Sequence, residues 1–367
     1  MNSRAPEHWY GGSLSRATTI AALRAVHADA ASRLDGDPSG GLTLTEIAQR
    51  AEVSRPMVEG AVEELADRGL VAEIVPDPDA PRPVGRPAKR YRFRSERGYV
   101  LGVDVGIHDI RALCADLSGT VHGSSRTEVS AELDNEARIA AARTALKRAA
   151  RSAKVRLSDV LAVGAGTTGP IDPRTGTVVM SPALPQWKGV NLKEALSGLG
   201  SGPVLVGNDA KLGALAEHWR GTAADAKDVV YILARKLIAV GILIDGRVRQ
   251  GRHGSAGEIG VLRAARWYEV RDALAAGRPI DSPQFIDDLA TGIAATVLVI
   301  DPDKVIIGGT LSQAGDTLLK PLRRRLDELL LFPIPVEASR LGDQNVALGA
   351  IRVALDELEH QLFSGAS

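Results

Sequence analysis

The chain has 367 residues, of which 45 are Lys or Arg and 45 are Asp or Glu, so it is long enough for two or three domains and carries no net charge that would draw it to nucleic acid or a membrane as a whole. Its lone cysteine, Cys114, excludes an intrachain disulfide and a cysteine-rich zinc site. It has no apolar N-terminal signal region and no apolar run near the ~20 residues that span a bilayer, which predicts a cytoplasmic protein with no membrane partner.

Residues 1–13 read as a flexible tail. Leu14 to Arg33 places Leu14, Ile20, Leu23 and Val26 on one side of a helix, and Asp35 to Gly41 is a Gly/Asp/Pro loop. The stretch 43–70 reads as a helix-turn-helix. Thr45 is the expected N-cap of a short helix carrying Ile47, Ala48 and Ala51, with Val53 packed in the turn. Ser54 is the expected cap of a second helix, with Pro56 in its first turn, where a missing N–H costs nothing. Val58, Ala61, Val62 and Leu65 then face inward, leaving Arg55, Met57 and Glu59 facing out near the helix N-terminus, where a recognition helix meets base edges. Gly69 is a C-cap and Val71 to Val75 a short strand. Between Pro76 and Arg97 the chain is rich in Pro and Arg. A loop through Gly85-Arg86-Pro87, followed by a strand at Tyr91-Arg92-Phe93, makes a β-wing whose Arg86, Lys89 and Arg90 would meet DNA, Arg86 in a narrow minor groove. An ordinary helix pair followed by a basic linker is the plainer alternative. The local concentration of arginine next to the helix pair favours duplex DNA as a partner. The DNA-binding residues of this reading are Thr45, Ser54, Arg55, Met57, Glu59, Arg86, Lys89 and Arg90.

From Gly98 the texture becomes that of an α/β fold. Strands are expected at Tyr99–Val105, Arg111–Leu117 and Val121–Val129, with a turn at Ser118-Gly119. A helix follows at Asn135–Ala153, then strands at Val160–Ala165 and Val204–Gly207. A helix at Lys211–Trp219 precedes strands at Val229–Leu233, Val240–Ile244 and Val305–Ile307, and a closing helix spans Ala347–Gln361. No short-period repeat is visible.

Three motifs could carry chemistry. Gly164-Ala-Gly166-Thr-Thr-Gly169 has the spacing of a dinucleotide loop, but Pro170-Ile-Asp-Pro173 follows where a helix must begin, so a Rossmann site is excluded. Asn208-Asp209-Ala210 stands at the head of a helix directly after a strand. Asp209 there is either a general base toward a hydroxyl or an N-cap. Glu258, in Gly254-Ser-Ala-Gly257-Glu258-Ile-Gly260, sits among glycines that let a small ligand come close to backbone, or is simply exposed on a turn.

Gly102-Val-Asp104-Val-Gly106, Ser181-Pro-Ala-Leu-Pro-Gln-Trp187, Gly207-Asn-Asp-Ala210, Ala256-Gly-Glu-Ile-Gly260, Ile306-Ile-Gly-Gly309 and Leu348-Gly-Ala-Ile351 occur in this order. The set resembles the ROK family of repressors, open reading frames and sugar kinases, over about 98–363. The resemblance implies an N-terminal winged helix-turn-helix (14–94) followed by a two-lobed hexokinase/actin-like ATPase fold (98–367). One lobe would be about 98–207 plus 347–363 and the other about 208–346. With the N-terminal unit in front, the chain is similar to the repressor branch, whose members bind operators and respond to sugars. The family's first phosphate loop, Asp-x-Gly-Gly-Thr, is here Asp104-Val-Gly106-Ile107-His108. Its Gly-rich second loop is here Ala234-Arg235-Lys236-Leu237-Ile238-Ala239-Val240. Glycine-exposed N–H groups cradle phosphate, so these departures argue against use of ATP. The family's histidine after Gly260 is Val261, and its cysteine-rich zinc loop is missing, so neither a metal nor a cofactor is expected.

The resemblance assigns sugar contact to Asn208, Asp209 and Glu258, with Glu269 as a further acid, while the Asn common near residue 183 is Ala183. Arg235 and Lys236, replacing glycines near where the transferred phosphate would lie, could hold a phosphate already attached to a sugar. The expected function is therefore a DNA-binding transcriptional repressor of carbohydrate-related genes. It would bind an inverted-repeat operator as a homodimer or homotetramer and respond to a sugar or sugar phosphate without kinase activity. Two alternatives differ in class: a ligand-independent DNA-binding regulator that uses the C-terminal module only to oligomerise, and an active sugar kinase.

Overall fold

A computed structural model of the chain describes residues 16–33, 40–75, 88–235 and 237–363. The N-terminal unit runs α1 (Arg16–Ala31), β1 (Leu42–Thr43), α2 (Leu44–Ala51), α3 (Arg55–Asp67), β2 (Val71–Ile74) and β3 (Arg90–Phe93). The start of α2 differs from expectation. Its N-cap is Thr43, whose hydroxyl accepts from the Glu46 N–H while the Glu46 carboxylate accepts from the Thr43 N–H at 2.7 Å. Thr43 wins because it has a glutamate three residues on to reciprocate, whereas Thr45 has Ala48. Thr45 lies inside the helix and is exposed. At α3 the backbone of Ser54 has cap geometry and Pro56 sits in the first turn, but the Ser54 side chain makes no capping bond. Val58, Ala61, Val62 and Leu65 are buried, as their spacing predicts. The three strands form an antiparallel sheet in the order β1-β3-β2.

The remainder contains two five-stranded sheets. The first is built from β4 (Tyr99–Val105), β5 (Asp109–Asp116), β6 (Val121–Glu128), β7 (Val160–Thr167) and β8 (Val204–Asn208), with α4 (Asn135–Ser152) and α5 (Leu192–Ala195) between strands. Its order is β6-β5-β4-β7-β8, antiparallel through β6-β5-β4 and parallel from β4 to β8. The second follows α6 (Asp209–Arg220) and consists of β9 (Val229–Ala234), β10 (Ile238–Ile244), β11 (Arg247–Val248), β12 (Lys304–Gly309) and β13 (Val336–Ala338). It carries α7 (Trp267–Ala275), α8 (Pro283–Ile300) and α9 (Asp316–Leu329). Its order, β11-β10-β9-β12-β13, has the same division into antiparallel and parallel pairs. One topology is thus used twice, although the sequence shows no repeat.

The closing helix α10 (Asn345–Phe363) lies across β4 and β7 and packs along α6, which lies on β9 and β10. The two helices are pressed together. A Cβ at Gly349 would lie 1.9 Å from the Leu212 carbonyl oxygen, so only glycine fits there. This helix pair ties the sheets together along one side and leaves the ends of β4 and β9 facing each other. No helix begins after the Gly164–Gly169 run; a turn and a short bridge between Ile171 and Val178 follow β7. One expectation needs amendment. The 18-residue α8 is, by length and composition, apolar enough to cross a membrane, with a mean hydropathy of 1.3. Its buried residues, among them Phe285, Leu289 and Ile293, belong to the core of the second half, and 56% of the helix is buried.

The N-terminal unit shares its core with the first sheet. Ala22, Leu23 and Val26 of α1 and Phe93 of β3 lie in one apolar cluster with Leu117 and with Leu355, Leu358 and Leu362 of α10. At roughly 25 cal/mol per Å² of apolar surface removed from water, such a seam is a strong attachment.

Candidate functional site

A cavity of about 440 Å³ opens between the two sheets. The β4–β5 turn, the head of α6, the β9–β10 turn and the segment 258–271 converge on it. Asn208, Asp209, Arg235 and Glu258 all line it. Glu269 does not. It is exposed on α7, whose Trp267, Tyr268 and Arg271 face the cavity instead. One helical step of about 100° separates it from the wall, so its expected ligand role is withdrawn. Lys236 lies outside the described residues.

The head of α6 is built by hydrogen bonds that spend Asn208 on structure. The Asn208 side-chain oxygen caps the Lys211 N–H at 3.2 Å, and its amide donates to the Gly169 carbonyl at 3.1 Å and to Asp209 Oδ1 at 3.0 Å. Asp209 Oδ1 also accepts from the Ala210 N–H at 2.8 Å. Asn208 therefore orients Asp209 toward the cavity. Burial pushes the Asp209 carboxyl up to about 7, with Arg235 opposing and Asp104 adding to the rise. A carboxyl poised near neutrality can accept a hydroxyl proton or a hydroxyl hydrogen bond.

Sequence reasoning missed Lys211, which is 1% exposed. Its ammonium donates to the carbonyls of Gln250, at 3.2 Å, and Gly254. It thus fixes the loop that delivers Glu258. Burial pushes the Glu258 carboxyl up, and Lys211 pulls it back. The available signal was that Lys211 is the only charge in Ala210–Ala216.

The β4–β5 and β9–β10 turns each carry an internal backbone hydrogen bond. In the β4–β5 turn the Gly106 N–H donates to the Asp109 carbonyl at 3.1 Å. The buried Arg138 of α4 donates to the carbonyls of Gly106 (2.7 Å), Ile107 (3.1 Å) and Ser130 (2.7 Å). In the β9–β10 turn the Arg235 N–H donates to the Leu237 carbonyl at 3.1 Å. The Arg235 guanidinium crosses the cleft to Asp104, 2.9 Å away on β4. At the outer rim Arg111 pairs with Asp109 (2.7 Å) and Asp343 (2.8 Å), and Arg126 with Asp109 (3.2 Å).

On the N-terminal unit, Ser54, Arg55, Met57 and Glu59 are exposed around the first turns of α3. Lys89 pairs with Glu73 at 2.8 Å, and Arg90 donates to the Gly41 carbonyl and lies 3.6 Å from Glu46. Arg92 and Arg94 both pair with Glu96, at 2.9 and 3.1 Å. Arg86 lies outside the described residues.

With this geometry in place, the comparisons are consistent. Residues 100–272 and 282–357 match the ROK family. The chain is 22% identical to the "Xylose repressor" of Caldicellulosiruptor bescii over 86% of its own length and 92% of that protein. Among solved structures, the ROK hexokinase from Thermus thermophilus covers 71% of this chain and 99% of its own, at 27% identity and a TM-score of 0.57. A ROK family transcriptional regulator, described as a homolog of the E. coli MLC protein, covers 95% of this chain and 98% of its own, at 21% identity and a TM-score of 0.67.

Proposed function

The chain belongs to the ROK family, and we propose that it is a DNA-binding transcriptional repressor whose cleft takes a hydroxyl-rich ligand of the sugar class. The observation that carries this reading is the exposed N-terminal end of α3, with Arg55, Met57 and Glu59, held on a unit that shares one apolar core with the cleft-bearing fold. In this reading α2 and α3 are a helix-turn-helix, and residues 14–94 form the DNA-binding domain of a chain whose remainder, 98–367, is a kinase-derived sensor. A helix presented by its N-terminal turn suits the major groove. One such unit covers little DNA, so a two-fold homodimer or a tetramer on an inverted repeat is the expected assembly.

Kinase activity is not part of the reading. Asp209 could serve as a base, but a phosphoryl donor needs a row of free backbone N–H groups. One turn is closed on itself and braced by Arg138; the other sends Arg235 across the space between them. The likeness over most of both chains to a protein named a xylose repressor supports the repressor reading.

The test is selection of bound fragments from random-sequence duplex DNA by the full chain, followed by gel shift. A recovered inverted repeat is the expected result. Arg55→Ala should then weaken binding by about 1–3 kcal/mol, the range for loss of a base contact. No enrichment, or wild-type affinity in the variant, would remove the assignment. A coupled assay with ATP and a sugar panel should show no turnover.

A further inference from the structure

Asp104 is 1% exposed, and neither of its carboxylate oxygens accepts a well-directed hydrogen bond. Burying a charge in this way is costly unless an opposite charge accompanies it. The accompanying charge is Arg235 Nη2, 2.9 Å from Asp104 Oδ2. Burial pushes the Asp104 carboxyl up and Arg235 pulls it down, while Asp104 keeps the guanidinium firmly protonated. A guanidinium stays charged in proteins, and the 2.9 Å contact sets that charge directly against the buried Asp104 carboxyl, so the pair is ionised. Arg235 also faces the second cleft carboxylate, Asp209.

The two partners come from opposite sides. Asp104 is on β4, the central strand of the first sheet, and Arg235 follows β9, the central strand of the second. The other arginines of the wall are also paired, Arg111 with Asp109 and Asp343, Arg126 with Asp109, and Arg271 with Asp272. Among the described residues, the side chain that could greet a phosphate from the middle of the cleft is thus already committed.

We propose that Arg235 is a cation supplied by the chain itself, which spans the cleft to Asp104 and sets the specificity of the site for neutral ligands over phosphorylated ones. This rests on the reading of the cleft as a sugar site, and it decides between the two effector chemistries considered from the sequence. A phosphate could take Arg235 only by stripping Asp104 of its partner and leaving that carboxylate buried and uncompensated. A neutral polyhydroxy ligand leaves the pair in place and meets Asp209 and Glu258. The pair also holds the two sheets together at the cleft floor.

The experiment uses the full chain and inorganic phosphate as probe, by isothermal titration at pH 7.5. Wild type should show no binding at low millimolar phosphate. Asp104→Asn releases the guanidinium and should bind phosphate at least tenfold more tightly, and Asp104→Asn/Arg235→Ala should lose that gain. Phosphate binding equal in wild type and Asp104→Asn, no gain in a folded Asp104→Asn protein, or a gain that survives in the double variant, each overturns the proposal. If Asp104→Asn does not fold, spin labels placed on the two halves decide. Their distance distribution should broaden in Arg235→Ala and stay narrow in Arg235→Lys; identical distributions in all three proteins overturn the spanning role. Both readouts are independent of DNA, so the repressor assignment stands or falls separately, on the fragment selection.

Discussion

The seam between the N-terminal unit and the first sheet and the cleft between the two sheets are both internal junctions, but they are built from opposite materials. At the seam, leucines and valines from α1 and α10 interlock, and the buried His27 is held among them. His27 Nε2 lies 3.2 Å from the Leu117 carbonyl oxygen, and its ring meets Phe93 and Phe363 edge-on with centroids 5.0 and 5.7 Å away. In the cleft the contacts across the gap are charged, and one of them, Asp104, is short of hydrogen bonds. An apolar seam resists relative motion because its packing has one good arrangement, while a charged gap can exchange partners with a ligand. Helix α6 touches both. Asp209 and Lys211 at its head line or brace the cleft; at its tail Arg220 donates to the carbonyls of Gly119 (2.7 Å) and Ser118 (3.1 Å), in the turn that also offers the Leu117 carbonyl to His27. Gly119 sits at φ +84°, and a Cβ there would meet the Trp219 ring at 2.5 Å, so the turn and the helix end are closely fitted. A change at the cleft thus has a packed path to α1.

The largest effect should come from the seam. Leu355 is 1% exposed within the shared cluster. Leu355→Ala should cost about 2–5 kcal/mol, the range for a buried leucine, and should destabilise the N-terminal unit and the first sheet together. Denaturant unfolding followed by one fluorescent probe on α1 and another on the first sheet should give coincident midpoints that shift in parallel. Separate transitions would show that the seam is no stronger a junction than the cleft.

Much of this contrast could be read from the sequence, though unevenly. The inward face of α3 was legible because Val58, Ala61, Val62 and Leu65 keep helical period, and the strands around Tyr99–Val105 and Arg111–Leu117 because they are short apolar-rich stretches ended by Ser118-Gly119. Helices α7 to α9 went unread, although α9 buries Leu318, Leu319, Leu322 and Leu326 at helical spacing and so did carry an amphipathic signal. The acids of the cleft were legible as types at the head of α6 and among the glycines before Gly260. Their environments were not. Nothing local in Asp104-Val-Gly106 or in Ala234-Arg235 says that two residues 131 positions apart will meet across a gap. Glu269 failed for a related reason: its place relative to the wall depends on where α7 starts, which the shortened loop before it conceals.

A smaller effect should appear at the cleft as a pH dependence. The Asp209 carboxyl is raised from 3.8 to about 7. A raised acid binds its proton more tightly when folded, so its stabilisation is fully present below pH 3.8 and is lost as pH rises through about 7. Asp209→Asn removes that loss. At pH 8 it should melt about 2–4 °C above wild type, the shift that about 2–3 kcal/mol gives in a chain of this size. Below pH 4 the two should converge. Melting curves from pH 4 to 8 that run parallel for both proteins would mean that Asp209 is solvated and the cleft is not the strained junction described here.

The smallest effect should lie at the seam, with the opposite slope. His27 has its pKa lowered from 6.5, chiefly by burial; Glu359, 3.9 Å away on α10, and the Leu117 carbonyl raise it in part, and Arg352 lowers it further. A lowered base binds its proton less readily when folded, so the stabilisation is complete above pH 6.5 and declines as pH falls below that value. Acid should therefore loosen the seam over the same range in which it relieves Asp209. His27→Gln keeps an N–H donor for the Leu117 carbonyl but does not titrate. It should abolish the acid-side decline attributable to the seam, a change on the order of 1 °C between pH 7 and 5.5, because Glu359 offsets part of the burial. The combined variant His27→Gln/Asp209→Asn then tests the comparison itself. If seam and cleft are separate junctions, the two pH effects should add, as distant sites do. If they fail to add, α6 transmits protonation between them, and the seam cannot be treated as a rigid mount for a mobile cleft.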